Sequence, residues 1–251
     1  MITIKSPREI ALMKEASQIL VTARQALFEK IQPGISTEAL DQHADKIIRD
    51  LGGIPSFKDY EGYPKSICTS VNEVVIHGIP SEKVILKDGD IISIDIGVNV
   101  KGYHADSAFT YAVGNISEDA KQLLEVTEKA LYIGIQEARP GNYVSNIGHA
   151  IENFIKPYGY GIVETFTGHG IGKELHESPQ VLNYGPKNQG PKLKPGMTIC
   201  IEPMINLGTK DVKVLSDGWT VVTEDKSLSA HFEHMILITE DGCEIMTTQK
   251  E

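Results

Sequence analysis

A chain of 251 residues with 41% hydrophobic content can bury a sizeable core, and a formal charge of −10 with no basic run disfavours a nucleic-acid backbone as partner. No apolar run is long enough to cross a bilayer, and the opening "MITIKSPREIALMKEAS" lacks a signal-peptide apolar core and a small-residue cleavage site. Cys68, Cys200 and Cys243 cannot all pair and none forms C-x-x-C, which points to reduced thiols and a cytoplasmic setting.

In chain order, Ser6-Pro7-Arg8-Glu9 is a capping box with Pro at the first helical position. Ile10, Met13, Ala16, Ile19, Leu20, Ala23 and Leu27 then keep helical spacing until Pro33-Gly34. A second helix is expected from Thr37 to Arg49, stopped by Gly52-Gly53. Strands are expected near 66–70, 74–77, 91–98 and 103–112. Helices follow from Ser117 to about Ala138 and over roughly 144–156, and the remainder reads as strand and loop. The whole reads as one domain over 1–251.

Two segments recur at a common offset. "QPGISTEALDQHADKIIRDLG" (32–52) resembles "RPGNYVSNIGHAIENFIKPYG" (139–159), and "KDGDIISIDIGV" (87–98) resembles "KPGMTICIEPMI" (194–205), both 107 residues apart. Asp95 then falls on Glu202. "YHADSAF" (103–109) resembles "AHFEHMI" (230–236) with a further 20-residue insertion, which matches Asp106 to Glu233. The chain therefore reads as two related halves, roughly 1–112 and 113–251. Each is a helix pair followed by sheet, and related halves place a site between them.

Asp95, flanked by Ile94 and Ile96, poses the chemical question. An ionised carboxylate in an apolar strand needs a partner. Taken alone, Asp95 could share a polar face with Ser93, and Asp106 and Glu233 could face solvent. The recurrence of acid at equivalent positions favours another reading, in which four carboxylates converge and divalent cations neutralise them. Manganese, iron, cobalt or zinc suit such a set with a nitrogen ligand, and magnesium suits it without one. "TFTGHGIGKELHESP" (165–179) supplies His169 among glycines that call for close backbone approach, and then His176. His77 closes the apolar run "NEVVIHGIP". His43, His104, His149, His231 and His234 read as surface or structural. H-E-x-x-H and G-x-S-x-G are absent, the glycines lack phosphate-loop spacing, and no cysteine has a reactive-looking context.

Together "SIDIGVNVKGYHADSAFT", "GHGIGKELHESP", "IEPMI" and "HFEHMILIT" resemble the type I methionine aminopeptidases of the pita-bread metallopeptidase superfamily. The resemblance runs from "SPREIALMKEAS" to the last strand, and "YPKSICTSVNEVVIHGIP" is similar to the type I version. The chain is similar to the minimal bacterial form, without the type II insertion, the eukaryotic zinc-binding extension or the extra domain of X-prolyl peptidases. The fold implied is α+β, two pseudo-symmetric αα-plus-antiparallel-sheet halves.

The resemblance implies two divalent metal ions held by Asp95, Asp106, His169, Glu202 and Glu233, with Asp106 and Glu233 bridging. It implies attack by a hydroxide shared between the ions, Glu202 as proton shuttle, and His77 and His176 contacting substrate and intermediate. Tyr60, Tyr63, Cys68 and Trp219 resemble the methionine pocket; Leu175 replaces an aromatic residue common just before His176. Asn72, the Val74 carbonyl and Ser229 resemble a monovalent-cation site. The implied activity removes N-terminal methionine from nascent chains, with a small second residue preferred, by a cytoplasmic monomer that touches the ribosome transiently. An X-prolyl peptidase and a non-catalytic binding protein of the same fold are the alternatives.

Overall fold

Helix α1, Pro7–Phe28, begins as its capping box requires: the Ser6 hydroxyl accepts from the Glu9 amide at 3.4 Å and the Glu9 carboxylate accepts from the Ser6 amide at 2.8 Å. The computed structural model describes residues 2–248. Along α1, Met13, Ala16, Ser17, Leu20, Ala23 and Leu27 are buried at helical spacing. They pack on a ten-residue hairpin, Ile91–Val100 against Tyr103–Ala112. Helix α2, Thr37–Asp50, is capped by Ser36 and lies beside α1. The second helix pair, α3 (Glu118–Gln136) and α4 (Ser145–Ile155), packs together over the sheets of the second half. Expected helix boundaries agree within two residues, except that α1 ends at Phe28, ahead of the expected stop at Pro33-Gly34.

The Ile91–Val100 strand carries Tyr103–Ala112 along one edge and Ile54–Pro55 and Ile67–Val71 along the other, all antiparallel. A five-stranded antiparallel sheet in the second half runs Cys243–Ile245, His234–Ile238, Thr198–Ile201, Gly168–Gly170, Glu177–Val181. A three-stranded sheet joins Ser229–His231, Met204–Asn206 and Gly161–Ile162, and another joins Val212–Val214, Val221–Thr223 and Val74–Ile76. The architecture is α+β, with one apolar core under each helix pair.

The halves differ at one informative place. The first-half strand runs unbroken through Asp95-Ile96, whereas its counterpart stops at Ile201 and resumes at Met204. Pro203 stands where Ile96 does and has no N–H for the ladder. Pairing of Ile201 with His234 and of Met204 with His231 leaves Glu202-Pro203 facing Phe232-Glu233 across a gap. In the first hairpin Asp106 faces Gly97, diagonal to Asp95, which faces Ala108. The matched acids are thus equivalent by place in the site but not by ladder register.

Candidate metal and peptide site

Diagonal placement puts Asp95 and Asp106 on one face of the first hairpin. The broken ladder of the second half releases Glu202 and Glu233 toward that face. A main-chain bond from the Glu233 amide to the Ala108 carbonyl, 2.7 Å, stitches the two halves together there. His169 enters from Gly168–Gly170, where the expected close approach is present. A Cβ on Gly168 would stand 2.3 Å from the Cys200 carbonyl oxygen, and one on Gly170 would stand 2.2 Å from that of Ser178. Any larger residue would push the strand, and His169 with it, out of place.

The five residues line the base of one cavity of about 300 Å³. His77, His176, Tyr60, Tyr63, Cys68, Leu175 and Trp219 line the same cavity. Phe57 and Phe166 complete its apolar wall and had no sequence signal beyond being aromatic. His77 holds φ +58°, a left-handed conformation unusual for a histidine. The following Gly78 packs against the Thr69 carbonyl so closely that a Cβ there would lie 2.1 Å from its oxygen. Its ring meets Phe166 and Trp219 edge-on, with centroids at 5.9 and 6.2 Å. The His176 Nδ1 pairs with the Tyr60 hydroxyl at 2.9 Å.

Two residues that the sequence left outside the site adjoin it. His231, read as surface or structural, is only 2% exposed and sets its Nε2 3.5 Å from Glu202 Oε2. Cys200 keeps the unreactive setting read from the sequence, since burial and then Glu233 and Asp106 push its thiol pKa up, but it lies beside the acids: ligand atoms of Asp106, His169, Cys200 and Glu233 all lie within 4.8 Å of one another. Neither position stands out in sequence, because each looks like an ordinary residue of an apolar strand. His104, which the sequence matches to His231, is structural as expected, its nitrogens 2.8 Å from Ser56 Oγ and 2.9 Å from Asn99 Nδ2. His234 is likewise structural, 2.7 Å from Thr247 Oγ1.

The electrostatics identify what the site lacks. No lysine or arginine lines the cavity. Burial, reinforced by neighbouring carboxylates, pushes Asp106, Glu202 and Glu233 well above the usual carboxylate range, and burial alone, against the opposing pull of His231 and Asp106, pushes Asp95 up to about 6. Buried oxygens Asp95 Oδ1, Asp106 Oδ1 and Glu233 Oε1 have no hydrogen-bond partner among the described residues. The His169 Nδ1 lies 2.9 Å from the Gly170 carbonyl, so Nδ1 carries the proton and Nε2 presents a lone pair. That lone pair stands 3.4 Å from Glu202 Oε1 and 3.9 Å from Asp106 Oδ2. Burial holds His169 down near 3, so protonation does not relieve the clash of acceptors. Four carboxylates and the His169 lone pair converging with no cationic side chain in the cavity fit a divalent cation, with His169 already in the ligating tautomer.

This charge balance has a measurable consequence. Above about pH 7 most unfolded histidines are already neutral, like the buried ones of the folded chain, and add little to the pH dependence. Asp106, Glu202 and Glu233 bind their protons more tightly in the folded chain than in the unfolded one, so folded stability falls as pH rises through their raised pKa values. Chelator-stripped protein is expected to melt at least about 5 °C lower at about pH 8.5 than at about pH 7, and added manganese should close the gap. Thermal melts with and without chelator check this. A stripped protein whose melting temperature is flat or rises over that range would contradict the electrostatic reading.

Comparison with known proteins agrees with this geometry. A model of metallopeptidase family M24 matches residues 11–240. The chain belongs to metallopeptidase family M24. Methionine aminopeptidase 1 of Bacillus subtilis is 56% identical over 247 residues, spanning 98% of this chain and 99% of the relative. Among solved structures, the methionine aminopeptidase of Thermotoga maritima superposes with a TM-score of 0.98 at 42% identity, covering 99% of this chain and 100% of its own. The prolidase of Pyrococcus furiosus superposes with a TM-score of 0.80 at 25% identity, covering 99% of this chain and 66% of its own length. Membership brings divalent metal binding and the pita-bread fold with it.

Proposed function

We propose that this M24 chain is a metal-dependent exopeptidase that removes the N-terminal methionine from nascent proteins and peptides. The observation that carries the reading is an acceptor-only knot at the base of an aromatic and sulfur-lined cavity. The full-length likeness to methionine aminopeptidases supports it. Asp95, Asp106, His169, Glu202 and Glu233 would hold two divalent ions, and oxygen-rich ligation with one imidazole suits cobalt, manganese, iron or zinc. When bound, the ions supply Lewis acidity and a nucleophilic water at neutral pH.

The remaining steps belong to the chain's own side chains. Glu202, its proton affinity raised by burial and by Asp95, is placed to take a proton and return it to the leaving amine. Burial, then His231 and His176, lowers His77 to about 4, so it is a neutral N–H donor for a developing oxyanion. With the Tyr60 hydroxyl donating to Nδ1, His176 keeps its proton on Nε2 for the substrate. Tyr63, Cys68 and Trp219, with Phe57, Phe166 and Leu175, enclose a space suited to an unbranched thioether. Leu175 in place of an aromatic residue widens one wall. We infer a small second residue, as the resemblance to the type I family implies.

The chain is read as a single catalytic domain of two related halves, acting as a cytoplasmic monomer with a transient ribosome contact. Among the described residues no helix is long and apolar enough to cross a membrane. A monovalent cation near Asn72, Val74 and Ser229 would rely on main-chain carbonyls, because the Asn72 amide is spent on Asp90 at 2.8 Å and on the Ile91 amide at 3.0 Å.

The test is initial-rate hydrolysis of Met-Ala-Ser by chelator-stripped protein with cobalt or manganese titrated back. Activity that returns with metal and releases only the first residue is the expected result. Cleavage of Ala-Pro peptides instead would move the substrate to the X-prolyl class. Metal binding without hydrolysis of either would leave a binding protein on the same fold.

A further inference from the structure

His231 belongs to no role assigned above, and its setting is built rather than incidental. Its amide donates to Thr110 Oγ1 at 2.9 Å, and the same hydroxyl donates back to the His231 carbonyl at 2.9 Å. Ser93 Oγ, on the Ile91–Val100 strand, supplies the third bond of this knot to Thr110 at 2.8 Å. The backbone of His231 is thereby pinned to the first-half hairpin while its ring lies behind Glu202, outside the cavity lining.

The two oxygens of Glu202 are bracketed by two imidazoles with different demands. His169 Nε2, 3.4 Å from Oε1, offers a lone pair, because its other nitrogen donates to Gly170. His231 Nε2, 3.5 Å from Oε2, is buried and has no hydrogen-bond partner among the described residues. A second lone pair against a carboxylate oxygen would repel, so the stable tautomer carries its proton on Nε2. A small rotation of either side chain closes this contact to ordinary hydrogen-bond length.

We propose that His231 is a positioning residue that holds the Glu202 carboxylate through an Nε2–H···Oε2 hydrogen bond, turning Oε1 toward the ion shared with His169. The inference rests on the reading of Asp95, Asp106, His169, Glu202 and Glu233 as a metal centre. It extends that centre by a residue that touches neither ion nor substrate. Outer contacts that orient a ligand typically govern metal affinity by about 10- to 100-fold.

The test measures manganese binding by calorimetry to stripped wild type, His231→Leu, His231→Gln and His231→Asn, with cobalt absorption spectra of each loaded protein. The amide nitrogen of glutamine reaches about as far as Nε2, whereas that of asparagine reaches only as far as Nδ1. His231→Leu and His231→Asn are expected to bind manganese about 10- to 100-fold more weakly, with an altered cobalt spectrum. His231→Gln is expected to stay within about threefold of wild type. Leucine or asparagine variants that match wild type in affinity and spectrum would overturn the proposal, as would a glutamine variant as weak as the asparagine one. Should the leucine variant fail to fold, the glutamine and asparagine pair decides alone. Wild type that binds no manganese would refute the metal-centre reading itself, and that result appears before any variant is compared.

Discussion

Asp106→Ala is expected to abolish release of N-terminal methionine, with a loss of at least about 10³-fold, worth roughly 4 kcal/mol of barrier. Asp106 sits where both halves meet, 3% exposed, on the face it shares with Asp95. Its Oδ2 lies 3.9 Å from the His169 lone pair and its Oδ1 has no partner among the described residues. A buried carboxylate in this state is a cost to the metal-free fold. Removing it should therefore leave the melting temperature of the stripped protein unchanged or higher, while metal content falls below that of wild type. That opposite movement separates loss of a ligand from loss of the fold. Initial rates, elemental analysis of the purified variant and a melt of the stripped form are the three measurements. Full activity with normal metal content would remove Asp106 from the site.

The second large effect is expected at His77. Changing it to alanine should lower kcat by about 10²–10³-fold, the usual cost of losing one preorganised oxyanion donor, while both ions stay bound. His77 makes no contact with the carboxylate knot that would carry the loss into metal affinity. Its ring stands edge-on to Phe166 and Trp219. Because burial keeps it neutral down to about 4, its contribution should persist across neutral pH. The wild-type rate should show no acid limb from His77 between about pH 5 and 7. Measured kcat and metal stoichiometry decide the matter. A variant that loses metal in step with activity would recast His77 as part of the metal shell.

The helices and the two-half plan were legible because they depend on local signals. Ser6 with Glu9, Ser36, Ser117 and the Pro-Gly stops act within a turn of the chain, and the apolar spacing of α1 acts within the helix itself. The matched pair Asp95 and Glu202 could be found because duplication leaves a trace in linear order. His169 could be singled out because only glycines permit the backbone crowding around it. The remaining roles followed from the resemblance to the type I family, which carried residues such as Trp219 and Tyr60 that no spacing rule selects.

Chain contacts across great sequence distance decided the rest. His104 and His231 look alike in the two half-repeats, yet one is tied to Ser56 and Asn99 and the other is turned onto Glu202. The difference arises at Pro203, which breaks the second ladder where the first runs on, and at Thr110, which binds His231 from the other half. Cys200 came to lie beside the carboxylates by the same logic, through its place next to Glu233. Linear order carries a residue's type and its local backbone preference. Which acceptor stands opposite a buried nitrogen is decided only when strands from both halves close on one another, because hydrogen bonds and charge act through space and not along the chain.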